Sequence, residues 1–300
     1  MSPSAVRALT GVMSDHTVLV LGSTGKTGRR VSPRLRLRGL SVRAASRSGA
    51  TRFDWADPRG WDEALHGVSA VYVVPPAVPA APGPVHEFVA RAEAAGVQRL
   101  VLLSGHGADR WGESDFGRDM LSAEDAVRAS ALEWTVLRSA NFDQNFDEEL
   151  FHAPLVAGEL ALPAGRAPEP FIDVEDVADV AATVLSEPGR HGGEVYELVG
   201  PRAMTFAEAV DVIARASGIP MTYRQTTAPE YAAALVEQGV DADAARDVAA
   251  MYEVLERVQD SLAREGLSET TEDVVTVLGR EPRTFEDYAA RAAAAGAWDR

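Results

Sequence analysis

The chain has 300 residues, with 45 acidic against 29 basic side chains, a formal net charge of −16 and no cysteine. Such an acid excess repels phosphate backbones and anionic bilayers, so neither nucleic acid nor a membrane is expected as a partner, and without cysteine there is no disulfide, thiolate metal site or cysteine nucleophile. No signal-peptide core lies in residues 1–16 and no run of about 18 apolar residues occurs, which predicts a cytoplasmic protein.

Residues 1–14 read as a ragged start. Residues 16–22 form a short β-branched apolar run ending in glycine, the pattern of a buried parallel strand. A glycine-rich turn follows, then an amphipathic helix over 26–38 with Val31, Leu35 and Leu37 on its apolar side. Strands are predicted over 41–45 and 51–55, a helix over 59–66, and a buried strand over 70–74 stopped by Pro75-Pro76. A loop over 77–83 leads to a helix over 84–95. Residues 99–104 are the next strand, broken by Gly105-His106-Gly107, followed by a helix over 114–131 and a strand over 134–138. Strands alternating with helices at this spacing predict an α/β protein with a Rossmann-type, doubly wound parallel sheet.

Beyond residue 140 the rhythm changes. Residues 150–170 read as loop, a helix runs from Asp173 to about Ser186, and 194–199 is a further strand. Helices are predicted over 205–217, 228–238, 241–265 and 284–296. The expected organisation is a nucleotide-binding domain over 15–150, to which 171–200 return. A smaller, mostly helical substrate cap is expected from 151–170 and 201–300.

The turn Gly22-Ser23-Thr24-Gly25-Lys26-Thr27-Gly28 joins a buried strand to a helix, the setting a dinucleotide loop requires. The first glycine permits the turn, the second admits the pyrophosphate to the backbone, and the third lets the helix pack on the strand. The helix N-terminus adds partial positive charge. At the end of the second strand, Ala44-Ala-Ser46-Arg47-Ser48 contains no carboxylate for a ribose 2′-hydroxyl. Arg47 and Ser48 suit a 2′-phosphate instead, which predicts NADP(H); a solvated surface arginine is the alternative. Asp54 and Trp55 are placed to accept the adenine amine and flank the ring.

Several segments together resemble the NmrA-like family of atypical short-chain dehydrogenase/reductases. They are Val18-Leu-Val-Leu-Gly22 with the glycine turn, Ser46-Arg47-Ser48, Trp134-Thr-Val-Leu-Arg138 followed by Asn141-Phe142 and Asn145-Phe146, and Phe171-Ile-Asp-Val-Glu-Asp-Val-Ala178. Within that family, 44–55 and 288–298 look most like bacterial relatives of the ergot-alkaloid iminium reductases. The resemblance implies NADP(H), a small-molecule substrate and a cleft under a cap, in a monomer or homodimer. It also implies that Val74-Pro75 and Ser104-Gly105 line the nicotinamide side, with Asn141 and Phe142 across the cleft.

One departure is complete. Ordinary short-chain dehydrogenases protonate the nascent alkoxide with a tyrosine activated by a lysine four residues on. Here no tyrosine or lysine lies between residues 97 and 195, and Lys26 is the only lysine of the chain. The pair would fall near Met120 and Glu124. Two readings follow. In the first, the chain transfers hydride to an activated C=N, C=C or quinone-like group, and an iminium carbon needs no strong proton donor. Asp119 and Glu124 would then favour a cationic acceptor, unless they form a solvated helix face. In the second, the chain binds NADP without catalysis, as a regulatory sensor. His106, directly after the fifth strand, is the best remaining acid–base candidate. The other histidines show no metal-binding spacing, so no metal is expected, and Ser104 lacks a nucleophile elbow.

Overall fold

The computed structural model describes residues 16–76, 83–111, 114–166, 168–264 and 271–299. The ragged start expected over 1–14 lies outside them, as does the loop expected over 77–83 except for Gly83, which begins a helix. The chain runs β1 (Thr17–Val20), α1 (Gly28–Leu37), β2 (Ser41–Ser46), β3 (Thr51–Arg52), α2 (Trp61–Leu65), β4 (Ala70–Val73), α3 (Gly83–Ala94), β5 (Arg99–Gly105), α4 (Asp115–Arg128) and β6 (Glu133–Ser139). It continues with α5 (His152–Ala157), β7 (Glu159–Leu162), α6 (Val174–Ser186), β8 (Glu194–Leu198), α7 (Phe206–Ser217), β9 (Thr222–Gln225), α8 (Ala228–Glu237), α9 (Ala242–Arg264), α10 (Asp273–Leu278) and α11 (Phe285–Ala294).

Seven strands make one parallel sheet in the order β3-β2-β1-β4-β5-β6-β8. The direction of winding reverses between β1 and β4, which opens a crevice at their carboxyl ends. Alternation along β1 divides the core. Val18 and Val20 face α1 and α6, whereas Leu19 and Leu21 face the layer that holds Trp61, Phe88 and Val127. A third apolar cluster builds the cap from Phe146, Phe151, Phe171, Phe206, Tyr231, Tyr252 and Phe285. Met120 and Trp111 join this third cluster, so the cap packs directly on the carboxyl rim of the sheet. No helix among the described residues is long and apolar enough to cross a membrane.

Two expectations are corrected. Residues 150–170 are not simply loop: they carry α5 and β7, and β7 pairs in parallel with β9 as a second, two-stranded sheet. The late chain also does not stay in the cap, because α10 buries Val274 among the residues of α6 and β8. These elements are short, and partners distant in sequence stabilise them, so local periodicity does not announce them.

The start of α6 gathers carboxylates against the end of the chain. Asp173 caps the helix through the Glu175 N–H at 2.9 Å and pairs with Arg291. Asp176 accepts Arg280 at 2.6 Å and also pairs with Arg283. Beside them Asp143 is wholly buried, with both carboxylate oxygens lacking a hydrogen-bond partner. Desolvation, reinforced by Asp173 and Asp176, pushes its pKa well above the ordinary carboxylate range. The folded state therefore holds a proton that the unfolded chain releases near pH 4, and Asp143 lowers stability as pH rises through that window toward its folded pKa. Asp143→Asn, which mimics the protonated carboxyl, is expected to be more stable than wild type at neutral pH and nearly equal to it at acid pH. Urea denaturation across pH 4–8 checks this.

Candidate active site

The glycine turn begins where β1 ends. Gly22 sits at φ +60°, a left-handed conformation that favours glycine, and its carbonyl accepts the Gly25 N–H at 2.8 Å. A Cβ on Gly28 would lie 2.8 Å from Ser23 Cα, so only glycine lets α1 start this close to the strand. Thr24 and Gly25 are exposed, while Ser23 and Lys26 are half-buried. Thr27, at the start of α1, is buried and makes no side-chain cap, and no acidic residue follows in the first turn. The turn is thus a compact cradle at a helix N-terminus with no carboxylate of that turn to oppose an anion. These features fit a dinucleotide pyrophosphate.

The basic residues beside the turn are already engaged. Lys26 Nζ donates to Asn145 Oδ1 at 2.5 Å and pairs with Glu149 at 2.9 Å. Arg30 pairs with Glu148 at 2.5 Å, and Arg29 with the same carboxylate. Lys26 therefore ties the turn to the segment after β6.

At the end of β2, Arg47 and Ser48 are exposed. Asp54 is half-buried and accepts the Ala56 N–H at 3.0 Å. Trp55 donates its indole N–H to the Val74 carbonyl at 3.0 Å and meets Phe53, Trp61 and Phe88 edge-on. The indole edge is thus spent on β4. Val74 also stands over Gly22, where an added Cβ would touch it at 3.5 Å, and Pro75 beside it is half-buried. The glycine turn and the end of β4 therefore line the same crevice.

The carboxyl ends of β5, β6 and β8 carry a connected polar network. Glu124, on α4, is 1% exposed. Its Oε1 accepts Ser104 Oγ at 2.7 Å and Arg138 Nε at 2.9 Å, and its Oε2 accepts Arg138 and Arg128, each at 2.9 Å. All four bonds are internal, which corrects the expectation that Glu124 faces an acceptor in the cleft. Helical spacing alone does not show which side of α4 meets β6. Burial works against the Arg138 charge, but bonds from Glu124 and Glu197 outweigh it and hold the guanidinium pKa above its ordinary value.

Arg138 also reaches Glu197 at 3.1 Å, and Glu197 lies 2.7 Å from His106 Nδ1. Met120 rests on the backbone of Gly105, where an added Cβ would meet its Cε at 3.2 Å. Asp119 is half-buried and engaged with a neighbour. Asn141 gives both its backbone N–H and its side-chain amide to Glu169 Oε1 at 3.1 Å, and Gln259 from α9 donates to the other oxygen at 2.6 Å. Burial pushes the Glu169 carboxyl up, against the pull of the Asn141 bonds and of nearby His106. Phe142 bridges to Ile172 beside them. The rim thus brings together Ser104, Gly105, His106, Met120 and Asn141.

Glu197, Glu169 and Gln259 escape the sequence reading. Glu197 shares β8 with Glu194, so the strand's composition does not single it out. Glu169 stands between Pro168 and Pro170 with no pattern to mark it.

An NAD(P)H-binding family model matches residues 22–188. The chain is 31% identical to the NAD(P)H azoreductase of Xenophilus azovorans, over 93% of this chain and 99% of that one. It is 29% identical to the agroclavine dehydrogenase of Claviceps fusiformis, over 91% and 96%. The Escherichia coli NADPH-dependent quinone oxidoreductase, solved with NADPH, superposes with a TM-score of 0.75 at 23% identity, covering 91% of this chain and 99% of that one.

Removing one partner of a buried ion pair strands the other, at a cost of about 3–5 kcal/mol. Glu124→Ala is expected to lower the unfolding free energy by about that amount, and Glu124→Gln by less, because the amide keeps an acceptor for Ser104 or Arg138. Urea denaturation with a circular-dichroism readout checks both.

Proposed function

We propose that this chain, which belongs to the NAD(P)H-binding, NmrA-like family of oxidoreductases, is an NADP(H)-dependent reductase of small organic molecules that works without a tyrosine–lysine pair. The acceptor is an activated C=N, C=C or quinone-like group. The observation that carries the reading is the make-up of α4. The positions where the pair would fall hold Met120, packed on Gly105, and Glu124, spent on Arg138. That helix therefore offers no phenol to protonate an alkoxide and no amine to activate one. NADPH, when bound, supplies hydride. The residues that would hold it are the Gly22–Gly28 turn at the pyrophosphate and Arg47 with Ser48 at the 2′-phosphate. Asp54 and Trp55 would stand at the adenine, and Val74, Pro75, Ser104 and Gly105 beside the nicotinamide.

Positioning supplies much of the acceleration for an acceptor that is already electron-poor. The buried network under the rim favours this, because it fixes the floor on which an acceptor rests. Catalysis by family relatives named for azo, quinone and clavine chemistry also supports the enzyme reading over a purely sensory one.

Two measurements test the proposal. Calorimetric titration is expected to show NADP(H) binding at least about tenfold tighter than NAD(H), a charge-assisted contact to phosphate being worth that much. Arg47→Ala should lose the preference, and Gly25→Val should lose binding altogether. Equal affinities in wild type would remove the assignment of Arg47. In the second, NADPH oxidation is followed with iminium, enone, quinone and simple ketone acceptors. Turnover of the activated groups with poor ketone reduction is expected. Efficient reduction of ordinary ketones would refute the restriction to activated acceptors.

A further inference from the structure

His106 spends one ring nitrogen and leaves the other open. Nδ1 lies 2.7 Å from Glu197 Oε2, and Glu197 is itself held by Arg138 at 3.1 Å and by the Gly107 N–H at 3.3 Å. The backbone of His106 is pinned on both sides: its N–H donates to the Ser139 carbonyl at 2.9 Å, and its carbonyl accepts the Trp111 indole N–H at 3.0 Å. Nε2, by contrast, is buried without a hydrogen-bond partner. Leaving a buried polar nitrogen unpaired is costly. A histidine kept only for packing or stability would be expected to satisfy both nitrogens.

The position of this open nitrogen matters. It sits just past β5, at the carboxyl edge where ligands of such sheets bind. From the strands, Glu197 on β8 holds the other ring nitrogen, and Arg138 on β6 holds Glu197. Asp109 follows β5 and reaches Arg138 at 3.2 Å. Glu169, ahead of α6, lies within electrostatic reach and is anchored by Asn141 and Gln259.

Resting on the reductase reading above, we propose that the Glu197–His106 dyad delivers a proton through Nε2 to the substrate atom that becomes anionic on hydride arrival, which directs the enzyme to quinones and enones. Glu197 fixes the ring by accepting from Nδ1 and stabilises the imidazolium, as a carboxylate does behind a catalytic histidine. Hydride bonds to one end of the acceptor's conjugated π system, and an electron pair moves to the oxygen at the other end. The Nε2–H bond then breaks, an O–H bond forms there, and the neutral imidazole regains a proton from solvent. NADPH is oxidised and the acceptor reduced by two electrons. An iminium acceptor becomes a neutral amine on hydride arrival and makes no demand on Nε2.

The test compares wild type, His106→Gln and Glu197→Gln with a quinone and an iminium acceptor, alongside NADPH affinity by fluorescence titration and thermal unfolding. His106→Gln should lower kcat on the quinone by about 100-fold or more, the scale of general acid catalysis. Its NADPH Kd and its iminium rate should stay near wild type. Glu197→Gln, a change at a positioning residue, should give a smaller loss and a displaced pH profile on the quinone alone. A readout independent of turnover is the ¹⁵N resonance of His106 Nε2, which should move when a phenolate, an inert analogue of the developing anion, is added. A wild-type quinone rate in His106→Gln, equal loss on both acceptors, or an Nε2 resonance blind to phenolate would each overturn the dyad. If wild type reduces neither acceptor, the reductase reading itself fails and the dyad falls with it.

Discussion

The buried pair between Glu124 and Arg138 is the constraint on which the carboxyl rim of the sheet depends. It ties α4 to β6, and the Ser104 hydroxyl ties the same carboxylate to β5. The second edge of the guanidinium carries the connection on to Glu197 and β8. Charges this deep are tolerated only when nearly every donor and acceptor is met. Arginine meets that demand because its planar fork presents two edges at once; lysine would offer a single point of charge. The rotamers of Ser104, Glu197 and His106 follow from where that fork lies.

The same pair explains what the helix after β5 does in this chain. In ordinary short-chain dehydrogenases that helix spends its inward positions on a proton donor and its activator. Here the inward positions go to a thioether lying on a glycine and to a carboxylate cross-linking the layers. A cross-link between layers occupies the place that the acid–base pair takes elsewhere.

Much of the sheet was legible because buried parallel strands are continuous apolar runs, and the glycine turn was legible because close packing of α1 on β1 admits no side chain at Gly28. What escaped shares a physical cause. β7 is a short run whose stability comes from pairing with β9, far along the chain. Val274 looks like surface until α6 and β8 close around it. Glu197, Glu169 and Gln259 each look like ordinary solvated residues, since their partners are brought up only by the finished fold. Glu124 misled for a related reason: its place on α4 suggests the cleft or the solvent, and only Arg138 on the neighbouring strand and Ser104 on β5 turn it into the protein.

The acidic start of α6 has a consequence for how the molecule is assembled. Asp173 and Asp176 open α6, yet the arginines that neutralise them, Arg280, Arg283 and Arg291, come 104, 107 and 118 residues later than the carboxylates they meet. α1 likewise waits for α6, through Arg34 and its bonds to Glu175 and Asp179. A nascent chain that has made every strand of the large sheet still carries carboxylates with no counter-charge. Contacts this far apart in sequence close late and slowly. Folding of the sheet layer is thereby coupled to the arrival of residues 280–291, and a chain cut short before α10 would leave the start of α6 without this clasp.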